Sequence, residues 1–353
     1  MNRHERRARI TSQKGDAAAL FDAGAQHMTA GRLDLAEDFY RRALKLKPSR
    51  EAHHNLGYVL TERGAHAQAI RHYRAAIQLA PEDQRHRNSI VKPLLLSGLR
   101  EEAVQEGLLA LTFKDREAMT TAAGMNLALA AAPAPGARGK DIVSFSVWGS
   151  NAFYTLGAIE NARLAKRHYP EWSARFYHDE SVPLDVLNRL RDEGGELVEM
   201  AAHRETQLGP YWRFMASDDP EVGRFLSRDI DSRLGARERA AVDAWIASGR
   251  DFHLMRDHPM NCELVLGGMW GGRAGLLPEV TRQAAAWAAI DPQRHNTRYD
   301  DQRFLRFVVW PLIRERSLTH DSFYRFRDAV DFPPGVPRTE ENFVARTVSP
   351  FEA

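Results

Sequence analysis

The sequence predicts two modules, an all-α array of helical hairpins followed by an α/β domain with a mostly parallel sheet. Three observations carry this. Small, aromatic and proline positions recur at a fixed period through the first third. A proline- and glycine-rich stretch, PAPGARG (133–139), reads as a linker. Beyond it, short apolar runs alternate with amphipathic segments. A length of 353 residues suits two domains, each burying its own core.

Composition narrows the function classes. Hydrophobic residues make up 43% and charged residues 27%, ordinary for a globular chain. Lys and Arg number 49 against 47 Asp and Glu, so no large field is available to hold nucleic acid. Cys262 is the single cysteine, which excludes an intramolecular disulfide and a thiolate metal cage. The start, MNRHERRARI, lacks the apolar core of a signal peptide, and no run approaches a transmembrane segment in length. The expectation is a cytoplasmic protein whose residues 1–16 form a basic, solvated tail. Contact of that tail with an anionic membrane, peripheral at its inner face, is the alternative.

In the first third, Gly24, Gly31, Ala36, Tyr40, Ala43 and Pro48 recur 33 residues on as Gly57, Gly64, Ala69, Tyr73, Ala76 and Pro81. A third copy keeps Gly98, Ala103 and Ala110, with Gly107 for the aromatic and Asp115 for the proline. Small residues let antiparallel helices approach, the aromatic fills the gap, and proline ends the second helix. The pattern resembles three tetratricopeptide repeats over 17–117, which implies a groove for a protein partner or for self-association. AMTTAAGMNLALAAA (118–132) reads as a capping helix, and the linker completes 118–140.

The second module, 141–353, opens with the strand DIVSFSVWG and a helix from Asn151 to His168. SARFYHD is a second strand, Val182 to Asp192 a helix, and ELVEM a third strand. EVGRFLSR, the helix Ala236 to Ser248 and DFHLMRD continue the alternation. In such sheets ligands bind beyond the carboxyl ends of the strands. Asp229 and Asp231 stand at one such end, where two carboxylates can approach one Mn²⁺ or Mg²⁺ that completes its shell with substrate phosphates. The competing reading pairs Asp229 with Arg228 or Arg233 and uses Asp231 as a helix cap.

From YWRF (211–214) to RDIDS (228–232), this module resembles glycosyltransferases of the GT-A type, whose D-x-D motif holds a metal and the sugar-nucleotide diphosphate. Trp212-Arg213 matches an aromatic–Arg pair that precedes the motif in several such families, and implies that Arg213 binds the donor; a surface ion pair with Asp218 or Asp219 is the bland reading. YDDQRFLRFVVWPL (299–312) is similar to the D-Q-x-x-L segment of lipopolysaccharide-galactosyltransferase-like enzymes, which implies that Asp301 and Gln302 border the transferred sugar. Helix capping is the alternative there. Asp257 and His258 precede a proline-terminated turn facing the same cavity, Asp257 as a third catalytic candidate and His258 as an acceptor contact. The resemblance also implies His320 as third metal ligand. Trp148 and Asn151, after the first strand, are placed beneath the nucleotide, although Asn151 suits helix capping equally.

In LVLGGMWGG, Gly267 and Gly268 permit close backbone approach, and Trp270 offers an apolar face to a sugar; a glycine turn with a core tryptophan is the alternative. The resemblance to the D-x-D family departs from many relatives at Arg228, directly before the first aspartate, Asp229. No G-x-x-x-x-G-K-[ST] or G-x-G-x-x-G loop is present, which argues against a P-loop nucleotidase or a Rossmann dehydrogenase. The resemblance implies a metal-dependent hexosyltransferase that moves a sugar from a nucleotide-sugar donor to a glycan or protein acceptor, as in polysaccharide biosynthesis, with a lean towards retained anomeric configuration. A repeat scaffold with a non-catalytic α/β domain is the alternative, and a metal-dependent phosphohydrolase a third reading.

Overall fold

The structure, a computed structural model, describes residues 3–125, 127–130, 139–200, 209–277, 279–290 and 300–349. It divides into two compact units, residues 1–113 and 114–353. Among the described residues no helix is long and apolar enough to cross a membrane.

The first unit consists of α1 (Arg3–Thr29), α2 (Leu33–Leu46), α3 (Arg50–Glu62), α4 (His66–Leu79), α5 (Gln84–Leu96) and the first part of α6 (Arg100–Ala122). α1 therefore begins inside the stretch expected to be a tail. The 33-residue period has a direct steric cause. Ala36, Ala69 and Ala103 are completely buried, and the rings of Tyr40 and Tyr73 lie against Gly24 and Gly57. A Cβ at Gly24 would come within 2.8 Å of Tyr40, and one at Gly57 within 3.0 Å of Tyr73, so a larger residue there would force the helices apart. Gly31, Gly64 and Gly98 take φ of 71°, 77° and 76°, the left-handed conformation that ends each first helix. In the third copy Asp115 stands where a proline would stop the second helix, and α6 continues to Ala122. The capping helix expected over 118–132 is not present as a separate helix among the described residues. Residues 118–122 complete α6, and 127–130 belong to no helix or strand, Ala130 donating its amide to the Leu276 carbonyl at 2.8 Å. Apart from Gly139, PAPGARG lies outside the described residues.

The second unit begins with the rest of α6 and is built on β1 (Lys140–Val147), α7 (Ala152–His168), β2 (Ser173–His178), α8 (Leu184–Asp192) and β3 (Glu196–Glu199). After α9 (Gly209–Trp212) and a 3₁₀ turn at Arg213–Ser217 come β4 (Val222–Arg228), α10 (Ala236–Ser248), β5 (Phe252–Arg256) and β6 (Trp270–Arg273). α11 (Val280–Ile290), α12 (Asp300–Phe304), a π turn at Leu305–Val309, α13 (Trp310–Ile313) and β7 (Ser317–Asp321) complete it. The seven strands form one mixed sheet in the order β3-β2-β1-β4-β6-β5-β7. β6 runs antiparallel to both neighbours, and the other pairs are parallel. Val143, Phe145, Val147, Phe176 and Leu226 enter one core with Ala158, Ile159 and Ala162 of α7 and Val242 and Trp245 of α10.

β6 is the strand that alternation does not reveal. Its Trp-Gly-Gly-Arg has poor intrinsic strand character. The glycines are required by its neighbours: a Cβ on Gly271 would strike the Phe225 carbonyl of β4, and one on Gly272 the Phe252 ring of β5.

Candidate functional site

β1 is flanked by β2 on one side and β4 on the other. The chain winds outward from β1 to β3 and then returns to start β4 on the opposite flank. That reversal opens a crevice beyond the carboxyl ends of β1 and β4, where open α/β sheets hold ligands. Trp148 follows β1 there, and Asp229 and Asp231 follow β4.

Arg213 is the centre of the site. Its main chain is fastened to β1, its N–H donating to Ser146 Oγ (2.9 Å) and its carbonyl accepting from Ser144 Oγ (2.7 Å). Its side chain, 9% exposed, reaches between two carboxylates, ion-paired to Asp229 through Nη1 and to Asp301 through Nη2 at 2.9 Å. The surface pairing with Asp218 or Asp219 does not occur; Asp219 is bound by Arg175 and Asp218 receives the amides of Val280 and Thr281. Arg213 Nε has no partner among the described residues.

Gly267 and Gly268 close against this group. A Cβ on Gly267 would lie 2.6 Å from both Arg213 Nη2 and Asp301 Oδ2, and one on Gly268 would collide with the Asp229 carboxylate. The glycines are therefore needed for close approach. Ser227 Oγ donates to the Gly267 carbonyl at 2.6 Å. Gln302, with its amide oriented to satisfy both neighbours, donates to the Val265 carbonyl (2.9 Å) and accepts from the Gly267 amide (2.8 Å). In this structure it holds the glycine loop. Ser144, Ser146 and Ser227 escaped the sequence reading, yet two serines two residues apart on an apolar strand share one face, which was the available signal.

The electrostatics follow from burial. Asp301 is 4% exposed, and loss of hydration raises its carboxyl to about 6 against the pull of Arg213. Burial, together with the charge of Asp229, also raises Asp231. Asp229 keeps 40% of its side chain exposed and is open to a ligand. A like-charged pair one residue apart fits a hard divalent cation, which takes one or two carboxylates and fills its shell from phosphates and water. Arg228 points away from the pair, buried against Glu238 at 2.6 Å and the Trp270 carbonyl at 2.9 Å, which accounts for its place before Asp229.

Trp148 stands 45% exposed and meets Trp212, the neighbour of Arg213, edge-on at 6.0 Å. Asn151 is a helix cap, its Oδ1 accepting from Phe153 N at 2.9 Å. Trp270 is fully buried between Phe214 and Phe225, so it is core and presents no face to a sugar. Asp257 is likewise removed from chemistry. Its carboxylate is completely buried and occupied by Arg237 (2.7 and 3.1 Å), Ser322 Oγ and the Val344 amide (2.9 Å). His258 packs on Phe343, and its Nδ1 accepts from Met260 N.

His320 does not join the aspartates. It lies on β7, three strands from β4, with Nδ1 at 2.9 Å from His253 Nε2 and its ring against Phe332. Among the described residues no group of three or more His, Cys, Asp or Glu comes together to hold a metal. Asp229, Asp231 and His320 are thus not an assembled triad. Burial holds His253 well below its usual range and lowers His320 to about 4. For a base with a depressed folded value, the stability is fully present above pH 6.5 and is lost as pH falls towards 4, where the unfolded chain takes a proton that the folded one refuses. The lowering of His320 corresponds to roughly 3 kcal/mol at the acid end. Wild-type urea midpoints are expected to fall more steeply between pH 6.5 and 4.5 than those of His320→Gln. Parallel curves would show that His320 contributes nothing to stability in this window.

Comparison with protein families matches tetratricopeptide repeats at residues 17–50 and 50–83. A search of curated proteins found no match. Among solved structures, MamA is similar at 29% identity over 30% of this chain, with a TM-score of 0.29; the chain covers 62% of that protein. The second repeat domain of Spaghetti (RPAP3), solved with an HSP90 peptide, is similar at 16% identity over 32% of this chain and 98% of that one, TM-score 0.30. An O-GlcNAc transferase of Thermobaculum terrenum is similar at 17% identity over 52% of this chain and 41% of its own, TM-score 0.26. At these scores none of the three bears on what this chain does. The chain carries tetratricopeptide repeats in its N-terminal region, followed by a mixed α/β sheet unit.

Proposed function

We propose that the second unit is a GT-A-like glycosyltransferase domain that binds a nucleotide-sugar at the switch-point crevice and transfers the sugar to a glycan or protein acceptor. The observation that supports this most is the convergence of Arg213, Asp229, Asp301 and the Gly267–Gly268 loop, whose parts come from four separate stretches of chain. Arg213 suits an oxygen-rich anion: a diphosphate that draws the half-exposed Asp229 away would meet its Nη1, while Nη2 stays on the buried Asp301. Trp148 offers an exposed ring beside it for a base or sugar. Asp301, with a carboxyl near 6, can hold or release a proton close to neutrality, as transfer to a hydroxyl acceptor requires. Mn²⁺ or Mg²⁺ on Asp229 and Asp231 would supply positive charge against the departing nucleoside diphosphate. The repeats would recruit the acceptor, a partner protein or a second copy of the chain.

One observation favours the alternative, a repeat scaffold with a non-catalytic domain: Asp229 is already neutralised by Arg213. Nucleotide-sugar consumption across a panel of donors, with and without Mn²⁺, separates the two. Metal-stimulated turnover is expected, and Asp229→Ala or Asp231→Ala each should reduce it at least a hundredfold, the scale of removing one electrostatic contributor. Full activity in both variants would remove the metal from the reading. Absence of turnover and of nucleotide binding in the wild type would leave the scaffold.

A further inference from the structure

We infer that Val344–Val348 forms a strap that sets the Asp229–Asp231 loop and so tunes the affinity of the crevice for its ligand; this rests on the reading that the loop meets the phosphate end of a donor. The strap is anchored at both ends. Upstream, the Val344 amide donates to Asp257, which Arg237 holds, and the Val344 side chain packs with Ala241, Met255, Met269 and Phe332. Downstream, Thr347 forms an antiparallel bridge with Ser232, and the Val348 amide donates to the Asp231 carbonyl at 2.9 Å. Arg233 closes the join, binding the Val348 carbonyl (2.9 Å) with one nitrogen and the Ile230 and Ser232 carbonyls with the other (3.0 and 3.1 Å).

Between the anchors Ala345 takes φ of 68°, a conformation that L-residues other than Asn and Asp rarely hold unless their surroundings impose it. Ala345 packs against the same cluster as Leu266, a cluster that includes Met269, so residues on either side of Gly267–Gly268 share this core. The strap is therefore bonded to the Asp229–Asp231 loop and shares a core with the flanks of the glycine loop. On its other side the Asp229–Asp231 loop is held by Asn161 of α7, which donates to the Ser232 carbonyl at 2.8 Å. A loop bearing two adjacent carboxylates repels itself, and ties on both sides hold it ready for a ligand, which reduces the ordering cost of binding.

Val348→Pro in the full chain removes the amide that meets Asp231, and Val348→Ala keeps it. Two readouts are needed: calorimetric titration of Mn²⁺ with UDP, GDP, CDP or ADP, and amide hydrogen exchange across 229–235. Val348→Pro is expected to bind the metal–nucleotide pair roughly ten- to a hundredfold more weakly, the scale of losing an orienting partner of a metal site. Exchange at 230–233 should quicken, while Val348→Ala matches wild type in both. Equal affinity and equal exchange in Val348→Pro would overturn the strap. If the wild type binds none of the nucleotides, the donor reading fails, and the exchange comparison alone decides whether the strap sets the loop. Should Val348→Pro not fold, Arg233→Met cuts the second tie and is read in the same way.

Discussion

Arg213→Met is expected to destabilise the second unit by about 3–5 kcal/mol at pH 8, the cost of leaving a buried charge without its partner. For a unit of this size that corresponds to a fall in Tm on the order of 10 °C. The burden falls on Asp301, 5% exposed at its side chain and left with no cation opposite Oδ2; Asp229, at 40%, can be solvated. The sign of the pH dependence follows from burial. Asp301 has a folded value raised to about 6, so the folded chain holds this proton more tightly than the unfolded one, and stability from this group grows as pH falls through 6 towards 4. Arg213 holds that value down, so without it the carboxyl rises further, the variant gains more than the wild type on acidification, and the Arg213→Met deficit should shrink towards pH 5; adding Asp301→Asn should recover most of it at pH 8. Thermal unfolding of the single and double variants measures this. An undiminished deficit in the double variant would mean that the loss is one of packing and not of charge.

The second large effect concerns where the α/β unit begins. A fragment starting at residue 100, with all of α6, is expected to fold, whereas one starting at residue 141 should be insoluble or melt far lower. The linker composition at 133–139 argues for the later start, and the contacts that Lys114 and Asp115 of α6 make within this unit argue for the earlier one. Lys114 is 1% exposed, with Nζ donating to the Cys262 carbonyl and to Glu263 at 2.6 Å; Glu263 also receives Arg306 at 2.9 Å. Asp115 accepts from Trp310 Nε1 at 2.7 Å and from Arg314 at 3.1 Å. Cutting at 141 strips these partners away and exposes the ground under Ala118, which is completely buried. Lys114→Met in the full chain isolates the electrostatic part, with a loss of about 3 kcal/mol expected for a broken buried pair. A 141–353 fragment as stable as 100–353 would show that α6 only borders this unit.

The repeats were legible because their determinants are local. A glycine, an alanine and a tyrosine within one period meet across a single helical hairpin, and the period alone reports the packing. The strand–helix alternation up to β5 was legible for the same reason: short apolar runs mark strands buried on both faces, and longer amphipathic stretches mark the helices between them. Asp229 could be placed at a strand end, and hence at a sheet's ligand-binding edge, from the run that precedes it.

What the tertiary structure decided was which distant groups meet. Arg213 had acidic neighbours five and six positions on, yet it pairs with residues 16 and 88 positions away, because Ser144 and Ser146 of β1 turn its backbone towards the crevice. His320, a metal ligand only by resemblance, pairs instead with His253, 67 residues distant, since β7 pairs with β5 and not with β4. Asp257 and Trp270 went to the core for a similar reason: Arg237 reaches forward over 20 positions to the first, and the second lies in a strand that exists only because its glycines fit between β4 and β5. Local pattern records how much of a side chain must be hidden; it carries no record of which partner, brought near by sheet order, will neutralise a buried charge.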